Sequence, residues 1–174
     1  VGPTGCVLAL EPNPYVYGVL QENAALNPDR TRIIPLPFAA TPEDGEIEFE
    51  YSDAGFCNGG LHEGISRWRH AHAFRLKVQG RNLVSYLGRT HPELLPRLRF
   101  IKTDAEGYDH SILVSLARLL EARRPYVRAE VFKLTTEPQR RELHRFLTGL
   151  GYGIFRFGGD AGYRGEPVAE GDVM

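Results

Sequence analysis

Short apolar runs alternate along this chain with stretches in which apolar residues recur every three or four positions. Cys6, Val7, Leu8, Ala9 and Leu10 form an unbroken apolar run, the pattern of a parallel strand covered on both faces. The run stops at Glu11 and Pro12. Asn13 then predicts a helix N-cap, with Pro14 at the first helical position. That helix is expected to reach about residue 25, with Val16, Val19 and Leu20 turned inward, and to end before Asn27 and Pro28. Residues 31–36 read as a second strand.

The middle of the chain is less regular. Residues 46–51 and 74–78 alternate polar and apolar side chains, which predicts strands with one wet face. Between them, residues 52–73 are rich in glycine, histidine and aromatics. The segment is long for a connection inside a compact domain, and such loops often carry function. A short helix is predicted over 82–87.

The regular rhythm then returns. Residues 98–104 predict a strand. Asp109 is expected to cap a helix whose stripe is Ile112, Leu113, Leu116, Leu119 and Leu120. Arg118, Arg123 and Arg124 suit the dipole at its end, and Pro125 closes it. Residues 126–131 predict another strand. Thr136 with Gln139 reads as a capping box, followed by inward Leu143, Phe146, Leu147 and Leu150, and Gly151 ends that helix. Residues 152–157 predict the last clear strand, with a loose glycine-rich tail beyond it. The alternation implies one α/β domain over 1–174 with a mainly parallel sheet flanked by helices. Its regular core spans about 5–157, with an irregular insertion at about 42–80 and a tail at 158–174.

Composition narrows the class. A chain of 174 residues with 42% hydrophobic content can bury a core. A formal net charge of -1 gives no overall attraction to nucleic acid or an anionic membrane, so neither is expected as a partner. The arginine pairs Arg123-Arg124 and Arg140-Arg141 fall in predicted helices and read as solvated faces. Cys6 and Cys57 are far apart, outside any metal-like spacing, and suit a reducing compartment, so a cytoplasmic location is expected. No stretch is apolar for long enough to span a membrane, and no signal peptide opens the chain. Oligomeric state is open.

Ligands of open parallel sheets bind at the carboxyl ends of the strands. Three predicted strand ends carry acids: Glu11, then Asp104 with Glu106, then Glu130. Glu11 reads either as the acceptor for both ribose hydroxyls of a nucleoside or as a charge at a helix entry. Lys102, Asp104, Glu106, Gly107 and Asp109 surround one strand-to-helix turn, read either as a site or as a capped helix with a local ion pair. His70 and His72 share a face if extended, which suits either a metal or plain exposure. No metal is assigned. Phe56, Cys57 and Asn58 sit in a glycine-bearing loop, read either as a substrate cover or as a solvent-facing turn.

Two phrases carry a resemblance. Val7, Leu8, Ala9, Leu10, Glu11, Pro12, Asn13 and Pro14, followed by Leu20 and Asn23, resemble the second-strand signature of the FkbM methyltransferases. Ile101, Lys102, Thr103, Asp104, Ala105, Glu106, Gly107, Tyr108 and Asp109 resemble that family's motif after strand four. The order and separation of the two also fit, and the resemblance covers residues 2–157. It implies a Rossmann-like class I methyltransferase fold, S-adenosylmethionine as cofactor, and O-methylation of a hydroxyl on a small molecule or glycan. It further implies ribose binding by Glu11 with Asn13, adenine contacts near Phe38 and Ala39, and Asp104 at the methionine end or the substrate. Lys102 and Glu106 would support Asp104 as catalytic residues, and Phe56, Asn58, His62 and Glu130 would contact the acceptor. The family's first strand and glycine-rich loop, expected about twenty residues before Glu11, have no counterpart here. The fold is therefore expected to lack its first strand, and activity of the chain as given stays open. A nicotinamide-dependent dehydrogenase and a non-catalytic remnant that binds a partner are the alternatives.

Overall fold

The fold is given by a computed structural model, which describes residues 1–2, 4–29, 32–51, 59–60, 74–156 and 165–172. It is an α/β protein whose chain divides into two compact units, Val1–Leu95 and Pro96–Met174.

In the first unit, β1 (Val7–Leu10) pairs in parallel with β2 (Ile33–Leu36), from Val7 opposite Ile33 to Leu10 opposite Leu36. Parallel neighbours need a crossover, and α1 (Pro14–Ala25) supplies it. The helix starts as its sequence predicts: Asn13 Oδ1 accepts from the Tyr15 N–H at 3.0 Å, and Pro14 occupies the first turn. Its packing differs from expectation. Val19 is 59% exposed and shares an outward face with Tyr15, while Val16 and Leu20 are half-buried. Among the described residues this sheet is two strands wide, a narrow seat for the helix, so the covered stripe is narrower than the apolar one.

A four-stranded sheet follows in the order β3 (Ala39–Ala40), β6 (Phe74–Arg81), β4 (Gly45–Tyr51), β5 (Gly59–Gly60). Its long element is the antiparallel β4–β6 ladder. The wet face carries Glu46–Lys77 and Glu48–Arg75 ion pairs, each 2.8 Å, while Ile47 and Val78 occupy the other. Gly80 lets Thr41 approach: a Cβ at position 80 would lie 2.6 Å from Thr41 Oγ1. The adjoining helix α2 (Leu83–Thr90) is capped by Asn82, whose Oδ1 accepts from the Ser85 N–H at 2.9 Å. Asp44 ties the ladder to this helix. It accepts from the Asn82 N–H at 2.7 Å and pairs with Arg81 and Arg89. The core beneath is Leu36, Phe38, Val78 and Leu87, with Phe38 set edge-on to Tyr86 at 4.6 Å between ring centroids.

In the second unit, β7 (Phe100–Thr103) and β8 (Tyr126–Ala129) pair in parallel, with Thr103 opposite Ala129. The crossover predicted as one helix is two, α3 (Asp109–Ser115) and α4 (Ala117–Arg123), jointed at Leu116. At the joint, Ser115 Oγ donates to Ile112 O at 2.6 Å, a local side-chain bond that competes with the helix. The predicted stripe is nevertheless the core. Leu113, Leu116, Leu119 and Leu120 are buried, at about 1.5–3 kcal/mol of stabilisation per leucine. Asp109 does not cap α3. It is the first helical residue, and its Oδ2 reaches back to accept from the Ala105 N–H at 3.3 Å.

Arg124 closes α4 in the left-handed conformation, φ 50°. Its guanidinium donates to Leu150 O and Gly151 O and lies 4.6 Å over the Tyr152 ring. It thus fastens the end of α4 to the end of α5 (Glu137–Gly149). The start of α5 matches its sequence: Gln139 Oε1 accepts from the Thr136 N–H and the Thr136 hydroxyl, both at 2.8 Å. The last predicted strand is reduced to β9 (Phe155–Arg156), antiparallel to β10 (Glu166–Pro167). Residues 165–172 return to α5, where His144 Nε2 meets Val168 O at 2.9 Å and Arg145 Nε donates to Glu170 at 2.6 Å.

The described strands thus fall into four small sheets, where one mainly parallel sheet was expected. Strand partners are chosen by contacts remote in sequence, which an apolar run does not encode.

Candidate functional site

Three strand ends hold the acids singled out from the sequence, one in the first unit and two in the second. At the end of β1, the Glu11 N–H donates to Leu36 O at 3.0 Å and extends the parallel ladder by one residue. The half-buried Glu11 carboxylate accepts from the Asn13 N–H at 2.8 Å through Oε1. Burial raises its pKa above the ordinary glutamate value, and the Asn13 bond only partly offsets this. The charge is therefore under-compensated, and a carboxylate has lone pairs to spare for further donors. A ribose diol offers two hydroxyl donors, so Glu11 fits the nucleoside of S-adenosylmethionine. Asn13 itself is 1% exposed, with its side-chain oxygen spent on capping α1. Phe38 is 4% exposed and packed on Tyr86, and Ala39 is half-buried in β3.

At the end of β7 the acids are denser. Lys102 Nζ lies 2.6 Å from Asp104 Oδ2, and this bond is the main cause holding Asp104 below the usual carboxylate range. The chain then turns through Glu106 at φ 49° and Gly107 at φ 100°. A left-handed glutamate costs about 1–2 kcal/mol, so this turn stores strain of the kind found at functional sites. Glu130 follows β8, its N–H donating to Thr103 O at 3.2 Å. Its pKa is raised, first by burial and then by the charges of Asp104 and Glu106. The second unit therefore brings together Lys102, Asp104, Glu106 and Glu130.

The sequence placed Asp109 at this turn but gave it no role beyond capping the helix. It is 2% exposed, and its Oδ1 has no hydrogen-bond partner among the described residues; the same holds for Glu130 Oε2 and the Thr103 hydroxyl. The signal was present in the acid three residues after Glu106, but it looked like a helix cap. A cavity of about 140 Å³ touches both Asp109 and Glu130. A wider groove of about 610 Å³, between His110 and Val114 of α3 and Glu142 and Phe146 of α5, contains none of the strand-end acids.

Phe56, Asn58 and His62 lie outside the described residues, as do Cys57, His70 and His72. Among the described residues, no group of three or more His, Cys, Asp or Glu is arranged to hold a metal ion. No described helix is long and apolar enough to cross a membrane.

Strand–helix–strand crossovers with acids at the strand ends mark an α/β protein, a class whose ligands bind at such strand ends. The family profile described as Methyltransferase FkbM domain matches residues 1–154. The chain belongs to the FkbM methyltransferase family. Comparisons with curated proteins and with solved structures each return no match.

Proposed function

We propose that this chain works as an S-adenosylmethionine-dependent O-methyltransferase acting on a hydroxyl of a small molecule or glycan in the cytoplasm. The observation that carries the reading is Asp104, held as a carboxylate by Lys102 at 2.6 Å within a motif of the family. A hydroxyl acceptor benefits from such a group, because losing its proton as the new bond forms makes the oxygen a better nucleophile. S-adenosylmethionine, when bound, supplies a methyl carbon that forms the new C–O bond as its C–S bond breaks and the electron pair leaves on sulfur. Asp104 takes the acceptor proton. Lys102 keeps Asp104 ionised, and the strained turn at Glu106 fixes where that carboxylate sits. Glu11 binds the ribose hydroxyls, and Asn13 holds Glu11 through its backbone N–H. Phe38 and Ala39 would contact the adenine, and Phe56, Asn58, His62 and Glu130 the acceptor.

The architecture supports a Rossmann-like arrangement. β1–α1–β2 and β7–α3–α4–β8 are each a strand, a helical crossover and a parallel strand, the unit from which such sheets are built.

Calorimetry with S-adenosylmethionine and transfer of labelled methyl to a panel of hydroxyl acceptors test the reading. Glu11→Ala is expected to weaken cofactor binding while the fold is kept. Asp104→Asn is expected to bind cofactor normally and lose roughly 10²–10⁴-fold in rate, the usual worth of a general base. Normal turnover by Asp104→Asn removes it from the chemistry, and unchanged affinity in Glu11→Ala removes the ribose assignment.

A further inference from the structure

Asp104 leaves β7 where the parallel ladder ends. The Glu130 N–H bond to Thr103 O, at 3.2 Å, is the last rung between β7 and β8 among the described residues. Beyond it one backbone shape is held all the same, with Glu106 at φ 49° and Gly107 at φ 100°. For a glutamate that shape is costly, and it persists only where the surroundings over-determine it. The bonds that do so meet at Ala105. Its carbonyl accepts from the Tyr108 N–H at 3.0 Å, and its N–H donates to Asp109 Oδ2 at 3.3 Å.

Asp109 is 2% exposed, and the bond from Ala105 is the side-chain hydrogen bond it makes among the described residues. It does not serve as the cap of α3: the N-cap position is Tyr108, which makes no side-chain capping bond. A buried carboxylate is costly to keep. This one is directed at a backbone donor of the turn, where a hydrogen bond to a charged group out of water is strong. The bond matters through what its donor is attached to. The Ala105 N–H belongs to the planar peptide whose other half is the Asp104 carbonyl. Fixing that N–H sets the rotation about the Asp104 Cα–C bond, while β7 sets the chain before it. The direction in which the Asp104 side chain leaves the backbone follows. Lys102 Nζ then holds the carboxylate 2.6 Å from Oδ2. Asp104 is located twice, at its tip by Lys102 and at its root by Asp109.

We propose that Asp109 is the positioning residue of Asp104: its carboxylate, through the Ala105 N–H, fixes the peptide after Asp104 and so the place from which Asp104 meets an acceptor hydroxyl. The effect on turnover rests on the function proposed above, whereas the hold on Ala105 does not. Asp109 acts through the backbone and needs no contact with acceptor or cofactor. A base displaced by about an ångström loses rate, up to about 10²-fold, while the groups that bind the ligands stay in place.

Amide hydrogen exchange of the full chain by NMR reads the hold, with the Ala105 amide set against those of Leu113 and Leu120. Labelled methyl transfer on the folded fraction reads its consequence. Asp109→Ala removes the acceptor. Asp109→Leu removes it while keeping the buried shape, and carries the test where the alanine variant folds poorly. Asp109→Asn keeps a carbonyl acceptor. In the alanine and leucine variants Ala105 is expected to exchange about tenfold faster or more, relative to the two leucines. Their kcat should fall about 10–10²-fold, with acceptor KM and S-adenosylmethionine affinity within about threefold of wild type. Asp109→Asn should restore both Ala105 protection and kcat. An Ala105 amide that is unprotected in wild type, or equally protected in the leucine variant, overturns the proposal. So does an unchanged kcat in a destabilised variant, which leaves Asp109 a purely structural residue, or an asparagine variant as slow as the leucine one. Release of Ala105 in a protein that transfers no methyl group upholds the hold and removes the role in turnover. An unreleased amide in a protein that transfers methyl groups does the reverse.

Discussion

Replacing Asn13 by alanine separates a structural role from a binding role at the end of β1. Asn13 is 1% exposed, and its Oδ1 accepts from the Tyr15 N–H at 3.0 Å, one of the donors at the start of α1 that have no helical partner. Truncation leaves that donor unsatisfied and opens a small void where the amide was packed. Loss of an N-cap costs about 0.5–2 kcal/mol, and burial of the site places the expected loss in the upper half, about 1–2 kcal/mol. With a urea m-value of about 2 kcal/mol per molar, the midpoint falls by about 0.5–1 M. Asn13→Ser keeps a capping oxygen and should recover most of the loss. The backbone N–H that holds Glu11 survives both changes. S-adenosylmethionine affinity, measured on the folded fraction, should therefore move far less in Asn13→Ala than in Glu11→Ala. A midpoint within about 0.25 M of wild type for Asn13→Ala, or a Ser variant no better than Ala, refutes the capping argument.

Leu120, fully buried, should cost about 2–5 kcal/mol as Leu120→Ala in chemical denaturation. Gly107→Ala meets no clash, since its Cβ would lie 3.5 Å from Phe132, but φ 100° is hostile to any side chain. Loss of about 1–2 kcal/mol is expected from the backbone alone, and a neutral result in the same assay would show that the turn relaxes. The Glu11 pKa is raised in the folded protein. Its protonated form therefore favours the fold, an advantage complete below the unfolded value of about 4.3 and lost as pH rises through the folded one. Glu11→Gln should accordingly stabilise the protein at neutral pH, with the gain vanishing in acid, and equal gains at both pH values would count against the burial argument.

Local signals were legible where the responsible residues lie within four positions of each other. Asn13 with Pro14 started α1, Thr136 with Gln139 started α5, and the spacing of Leu113, Leu116 and Leu120 marked a buried stripe. The strand-end acids were legible for the same reason, since an acid closing an apolar run is a local pattern. Asp109 was visible as a residue but its direction was not. Whether it bonds forward as a cap or backward to the Ala105 N–H depends on the left-handed turn at Glu106 and Gly107. The break at Leu116 was hidden because a leucine stripe continues across it unchanged. Asp44 gave no sign at all: its partners Asn82 and Arg89 are 38 and 45 positions away. Pairing of strands into separate small sheets was hidden likewise.

The Arg124 clamp has a consequence for how this unit opens. Its guanidinium holds the carbonyls of Leu150 and Gly151 and covers Tyr152, while its own backbone N–H closes α4 on Leu120 O. Fraying of either helix terminus pulls on the same side chain. Amide protons in the last turns of α4 and α5 should therefore exchange with deuterium as one cooperative group, and Arg124→Ala should release them to exchange at separate rates.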